Sequence, residues 1–539
     1  MADLVLWSVL AIIVIVYGVL IYLIRKKQFL AQHGVTTWGP IIFWRTERGQ
    51  KFIDRVARYK RFWNGYALAS KLVCLAVGVF IMALLIWEAT VVSRIPADKA
   101  PTPEMMLGIP GINPVIPVVY GIIALVIAIV VHELAHGILT RVGNMKLKSL
   151  GAIFLIIPLG AFAEPEEQEL QKADRKRRTN VFAVGAGTNI FLAIICVLLF
   201  CTVFMASAQP VRENPVVVAI GEDSPAQYAH LGFGAQILSI GGVPINNASD
   251  WEAVTFAPGS NVTISYFYGG QELSVTAVSG LALVDVSKGM PASNAGFTVG
   301  MIIASLNDTV VHNQSDLDHA LALTQPYQTC NVTMLQFDPI TSTYDRFPVS
   351  QITLASRKDY LLQVDPAAVN DTYKDRGMLG VNTAYIGAVV NAPSNIVQRL
   401  AHPFYGAKDF GGFVGASLLF IALPFQGLAP IDSPIADLFV PTGALGWMPV
   451  GVFWFIANCL YWLFWINLMV GMTNVLPAIP LDGGYMFKDA LSGIVARVKK
   501  NSSEKERQIW ESRVISIMYM VTMLVFFLII WQLIGPRLL

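Results

Sequence analysis

Cysteine is scarce in this 539-residue chain: there are five, and Cys74, Cys196, Cys201 and Cys459 stand in apolar runs. Cys330 is left alone in the polar middle, so no disulfide framework can be drawn. Charge is scarce too. Only 14% of residues are charged while 55% are hydrophobic, a balance too apolar for an ordinary soluble enzyme. The net charge is only +2, with the cations gathered in short segments between apolar runs, which leaves no basic domain for nucleic acid. The first apolar run, 4–24, lacks the basic residues that precede it in a secretory signal peptide; Arg25, Lys26 and Lys27 follow it instead. It reads as a retained anchor with an outside N-terminus.

Long apolar runs are what the chain has in abundance. Six are long enough to span a bilayer, near 4–24, 67–88, 116–138, 181–205, 450–476 and 514–534. Basic clusters such as Arg55, Arg58, Lys60 and Arg61, then Arg175, Lys176, Arg177 and Arg178, then Lys499, Lys500, Lys505 and Arg507 fall between alternate runs. The positive-inside rule places all three in the cytoplasm and leaves 206–449 outside. Asn-x-Ser/Thr sequons at Asn247, Asn261, Asn307, Asn313, Asn331 and Asn370 lie in that outer region and suit it mildly. The apolar stretches 150–162 and 413–428 are too short to span and suit re-entrant or interfacial structure. The Pro-rich segment 424–449 reads as an irregular connector.

The outer region carries an internal similarity. Ser224-Pro225-Ala226 through Gly234 and Ile237 returns as Met290-Pro291-Ala292 through Gly300 and Ile303, an offset of 66 residues from Pro225 to Pro291. Alternating β-branched runs at 261–268 and 331–337 predict two small tandem α/β modules. The expected organisation is a membrane region 1–205, modules at 206–280 and 281–380, a linker 381–449, and a second membrane region 450–539.

His132-Glu133-Leu134-Ala135-His136 closes an otherwise uncharged apolar run. On a helix, positions i and i+4 share a face, so both imidazoles can reach one tetrahedral cation. Glu133 sits one residue round, where it can hold a water and take its proton as a metal lowers that water's pKa. Three ionisable groups in a membrane segment are costly without a function. A catalytic site of this type wants a third protein ligand, and Asp482 is the best candidate, in a stretch broken by Pro477, Pro480, Gly483 and Gly484. Taken alone, Asp482 could equally be a helix N-cap.

With these residues the chain resembles the site-2 protease family of intramembrane zinc metalloproteases, peptidase family M50, whose signatures are His-Glu-x-x-His and a distant Leu-Asp-Gly. The resemblance implies a polytopic α-helical membrane protein of about six spans with two extracytoplasmic PDZ-like α/β domains. It implies one catalytic Zn2+ held by His132, His136 and Asp482, with Glu133 as the base, near the cytoplasmic side. Gly185-Ala186-Gly187-Thr188-Asn189 matches the family's Gly-x-x-x-Asn element, in which Asn189 would bind substrate backbone or the oxyanion; close helix packing through the small residues explains the same motif. The family's membrane-embedded hairpin would fall at 150–162. The tandem modules look like PDZ domains, which bind extended peptides at a sheet edge or exclude bulky substrates, although Ala235 and Met301 replace the usual acidic residue. The partners implied are transmembrane protein substrates in the lipid bilayer, with membrane-anchored transcriptional regulators a family-level expectation. Two other classes fit less well. A metal transporter needs a second gate and a continuous polar path, and a silent PDZ scaffold or receptor needs no Glu133.

Overall fold

The computed structural model describes residues 15–26, 33–46, 49–92, 100–155, 157–348, 350–364, 375–498 and 503–538. Most of the expected N-terminal anchor, 4–14, lies outside them; 15–26 is helical. The chain forms two compact units, one of 1–200, 421–430 and 455–539, the other of 201–420 and 431–454. Five described helices are long and apolar enough to cross a membrane, beginning or ending at Lys60–Val91, Val118–Val142, Arg175–Met205, Val450–Asn474 and Lys505–Leu538.

In the first unit a short helix α1 (Gln50–Ala57) leads into α2 (Lys60–Val91), then α3 (Val118–Val142), α4 (Arg175–Leu199), α5 (Val450–Asn474), α6 (Asp482–Val498) and α7 (Glu504–Leu538). Small side chains let these helices approach closely, which is how apolar helices associate when lipid is as apolar as their own side chains. The buried stripe of α2 is Ala67, Ser70 and Cys74; the Cys74 thiol donates to the Ala183 carbonyl at 3.4 Å, and Gly187 leaves room for Ser70. At the start of α4, Asp174 accepts from the Arg177 amide and caps the helix. The indole of Trp531 on α7 donates to the Ala89 carbonyl of α2 at 3.2 Å, and Gln532 donates to Glu88 at 2.7 Å.

Residues 147–165 form a β-hairpin, β3 (Leu147–Leu155) and β4 (Ile157–Pro165), where length alone suggested a re-entrant or interfacial piece and the family resemblance a hairpin. With β1 (Val35–Trp38) and β2 (Ile41–Thr46) it makes a four-stranded antiparallel sheet in the order β1-β2-β3-β4, registered Arg45 to Gly151 and Gly151 to Phe162. The segment 421–430 belongs to this unit as well, and the Trp465 indole of α5 donates to the Ile421 carbonyl at 3.0 Å. The helix Phe410–Ile421 that ends there is apolar but short.

In the second unit, strands β5 (Val216–Ile220), β6 (Gln236–Ile240), β7 (Asn261–Tyr268) and β8 (Gln271–Val278) precede β9 (Leu281–Val286), β10 (Ile302–Leu306), β11 (Thr329–Asp338) and β12 (Thr343–Arg346). A final pair, β13 (Val381–Tyr385) and β14 (Ala388–Asn391), closes both sets. The main path of one antiparallel sheet is β8-β7-β6-β5-β14 and of the other β12-β11-β10-β9-β13. Pro225 and Pro291 each open a short helix, and Gly234 and Gly300 take φ of 85° and 87°, a region that favours glycine. Alternation along β7 buries Val262, Ile264 and Tyr266 in one core; Leu283, Ile303, Val332 and Met334 fill the other. The first sheet therefore takes its last strand from 388–391, beyond the second module, so that second module is nested within the first. Tyr385 at the junction packs in the first core against Trp251, and burial pushes its phenol up to about 12 while Ser279 hydrogen-bonds it at 3.1 Å.

Candidate functional site

α3 carries a buried face of Gly121, Ala124, Ala128, His132, Ala135 and His136, a helical period in which the two histidines succeed small residues that admit neighbouring helices. The imidazole Nε2 atoms of His132 and His136 lie 3.0 Å apart. Asp482 Oδ2 stands 3.2 Å from each. All three side chains are largely buried, the histidines 8% and 9% exposed.

Asp482 reaches this point because α5 stops at Asn474 and the chain turns through Val475–Leu481 before α6 starts at Asp482 itself. Pro477 and Pro480 cannot continue a helix. The turn is closed by the Ala478 amide on the Leu476 carbonyl and the Leu481 amide on Ala478, and the Ile479 amide is held by Thr522 of α7 at 3.2 Å. Gly483 is required by contact: a Cβ there would overlap the carbonyls of Val475 and Leu476.

Tautomer follows from the surroundings. His136 Nδ1 faces the Val181 carbonyl at 2.7 Å, and a carbonyl can only accept, so Nδ1 carries the proton and Nε2 presents a lone pair toward Asp482 and His132. The Val181 carbonyl is a backbone group with no residue signature, which is why the sequence could not show it. Gly185, one turn along α4, forms the floor of the cluster; a Cβ there would overlap His136 Nε2 and stand 2.8 Å from His132 Nε2.

Two imidazole nitrogens and a carboxylate oxygen, lone pairs converging and mutually within 4.8 Å, are a ligand set for one divalent cation. Bonds of about 2.0–2.2 Å at tetrahedral angles place donors roughly 3.3 Å apart, close to the spacing seen, and leave a fourth position open. Asp482 Oδ2 is buried with no hydrogen-bond partner, as expected of an atom meant for a cation. The residues present fit a metal.

Glu133 is not among the three converging groups. Its Oε2 accepts from the Ala163 amide of β4 at 2.9 Å, so an edge strand of the sheet fixes this carboxylate on α3. Asn189 lies four residues after Gly185 on the same face of α4, fully buried, and neither its Oδ1 nor its Nδ2 has a hydrogen-bond partner. Such an amide is costly to bury unless something supplies the bonds. α4 and α6 are tied beside the site by Arg178, whose Nη2 donates to buried Asp489 at 2.6 Å, and by the stacked rings of Phe182 and Tyr485, 4.8 Å apart. Neither pair carries a sequence motif.

The model of the family described as Peptidase family M50 matches residues 120–525, which takes in all of these side chains. An uncharacterized protein of Methanocaldococcus jannaschii is 31% identical over 278 residues, covering 50% of this chain and 71% of the relative.

Proposed function

The chain belongs to peptidase family M50, membrane metalloproteases, and from that premise we propose that it is a site-2-type intramembrane zinc protease that hydrolyses peptide bonds of transmembrane proteins. The observation that carries the reading is the convergence of His132, His136 and Asp482 at 3.0–3.2 Å, the two histidines on a helix long enough to cross a membrane and Asp482 at the close of the turn that follows another. Those three residues would hold one Zn2+. When bound, the ion would polarise the scissile carbonyl and acidify a water.

The chain's own groups do the rest. Glu133, anchored through Oε2, keeps Oε1 for taking the water's proton and delivering it to the departing amine. Asn189 offers an amide whose unmet hydrogen bonds suit the backbone of a substrate or its developing oxyanion. A transmembrane substrate must first unwind, because its carbonyls are bonded within its own helix. β4 is an edge strand beside Glu133, so an unwound segment can add to that sheet as a further strand. The two β modules fit PDZ-like domains that bind or screen substrate, placed outside the cell by the positive-inside rule with the catalytic residues toward the cytoplasm. Membrane-anchored regulators are the substrate class implied by the family.

The test is cleavage of a single-span substrate in liposomes by wild type and Glu133→Gln, with bound zinc quantified in both. Zinc in both proteins with cleavage lowered about 100-fold or more in the variant is the expected result. Zinc-free wild type would refute the site. Zinc without cleavage of any of several substrates would favour a transporter or scaffold.

A further inference from the structure

A second cluster of charged side chains stands one turn beyond His136, at the C-terminal end of α3. Asp54 and Arg58 from α1 and its end, Lys60 from the start of α2, and Arg141, Asn144 and Lys146 line, with Ala57 and Met145, an open cavity of about 280 Å³. Four cations face one carboxylate. Arg141 is committed, donating through Nε and Nη2 to the two oxygens of Asp54 at 2.6 and 3.1 Å, which holds that carboxyl below its usual value. Lys60 donates to the neutral Asn144 Oδ1 at 2.7 Å, so its charge stays uncompensated. Lys146 reaches Glu169 only at 3.8 Å and is 78% exposed.

Capping of the α3 C-terminus is the plainer explanation, since cations favour that end of a helix. It accounts for Arg141 in the last turn and for Arg177, which donates to the Gly143 carbonyl at 3.5 Å. It does not account for Arg58 and Lys146. An independent observation bears on its level in the membrane: Phe52, Tyr59 and Phe62, each within two residues in sequence of a lining residue, are 54%, 72% and 62% exposed. Exposed aromatics next to cations where an apolar helix begins mark the headgroup level of a bilayer.

We propose that this cavity binds the phosphate of an anionic membrane lipid, with Arg58, Lys60 and Lys146 as its donors. A phosphate there supplies a charged acceptor to Arg58, to Lys60, whose partner is a neutral amide, and to Lys146, whose carboxylate partner stands at 3.8 Å, and it bridges α1, α2 and the end of α3. The lipid thereby clamps the helix that presents His132 and His136 at the level of the interface.

The experiment uses the full chain in detergent, washed and then offered phosphatidylglycerol, phosphatidylcholine or inorganic phosphate, with retained lipid read by native mass spectrometry and anion binding by thermal shift. Three proteins are compared: wild type, Arg58→Ala/Lys146→Ala, and Lys505→Ala/Arg507→Ala, which removes the same charge from the start of α7. Phosphatidylglycerol retained in preference to phosphatidylcholine by wild type and the α7 variant, and roughly tenfold less by Arg58→Ala/Lys146→Ala, is the expected result. If the double variant loses its helical circular dichroism, Arg58→Gln replaces it. Equal retention by all three proteins, or equal loss in both variants, overturns the site. Inorganic phosphate shifting the melting of wild type with no lipid preference overturns the lipid as its occupant.

Discussion

A methyl group at residue 185 would overlap His136 Nε2, so the close approach of His132, His136 and Asp482 relies on the bare backbone that α4 offers as its floor. Gly185→Ala is therefore expected to lower bound zinc to under a tenth of wild type, with cleavage falling in parallel and helical circular dichroism unchanged; metal analysis of the purified protein checks it. The same substitution at Gly65, where nothing lies within 4 Å of the added carbon, is the control and should leave zinc in place. At this scale the approach of His132 and His136 was legible in the sequence, because a helix fixes what i and i+4 can share. Asp482 was legible only in company, through broken helix chemistry around it. The Val181 carbonyl and the Ala163 amide were not, since a backbone atom that orients a side chain leaves no mark in residue identity. Gly185 sat inside a motif that offered both a substrate-binding Asn189 and close helix packing, and its contact with two imidazole rings is a third use of the same small residue.

The hairpin β3–β4 shows what a length argument can and cannot deliver. Thirteen apolar residues were too few to span, which the structure respects, but a short apolar run does not by itself distinguish strand from helix. Its partner strands β1 and β2 lay in a segment read only for its cations, so the four-stranded sheet was not foreseen. Gly151 in β3 is confined: a Cβ would overlap the Phe162 ring and meet the Trp44 carbonyl. Gly160 in β4 has only Ile129 nearby, at 3.8 Å. Gly151→Val should separate β3 from β2 and abolish cleavage of a transmembrane substrate while bound zinc stays near wild type. Gly160→Val should leave more than half the activity. A Gly151→Val protein that cleaves normally would remove the sheet from substrate handling; the measurement is the liposome cleavage assay with zinc quantified alongside.

Across the whole molecule, five apolar runs became helices that extend past the runs themselves: Lys60 and Arg61 head α2, Arg175 to Arg178 head α4, and Arg141 ends α3. Hydropathy sees only the part in hydrocarbon, whereas the helix continues to where its charged ends find water or a partner. One such end ties distant parts of the sequence, for Arg178 at the head of α4 pairs with Asp489 on the helix that begins with Asp482. Asp489→Ala leaves Arg178 without its carboxylate and should cost about 3 kcal/mol, seen as a lower unfolding temperature and faster zinc release to a chelator. Substituting both residues together with Arg178→Met and Asp489→Leu should recover most of that loss.

The two β modules were expected in tandem, because a sequence offset reports similarity and says nothing about which strand seals which sheet. Their nesting has a historical implication. Gly280 and Ile386, where the chain leaves the first module and comes back to it, are joined by a hydrogen bond of 2.7 Å from the Ile386 amide to the Gly280 carbonyl. Entry and exit of the guest thus sit side by side, as they do at the base of a hairpin, so the host's strands accommodate a hundred-residue insert or a two-residue turn with almost the same geometry. Residues 281–384 are in that sense an inserted cassette, while Tyr385 stays behind as part of the host's own core, so the seam between guest and host falls at that residue.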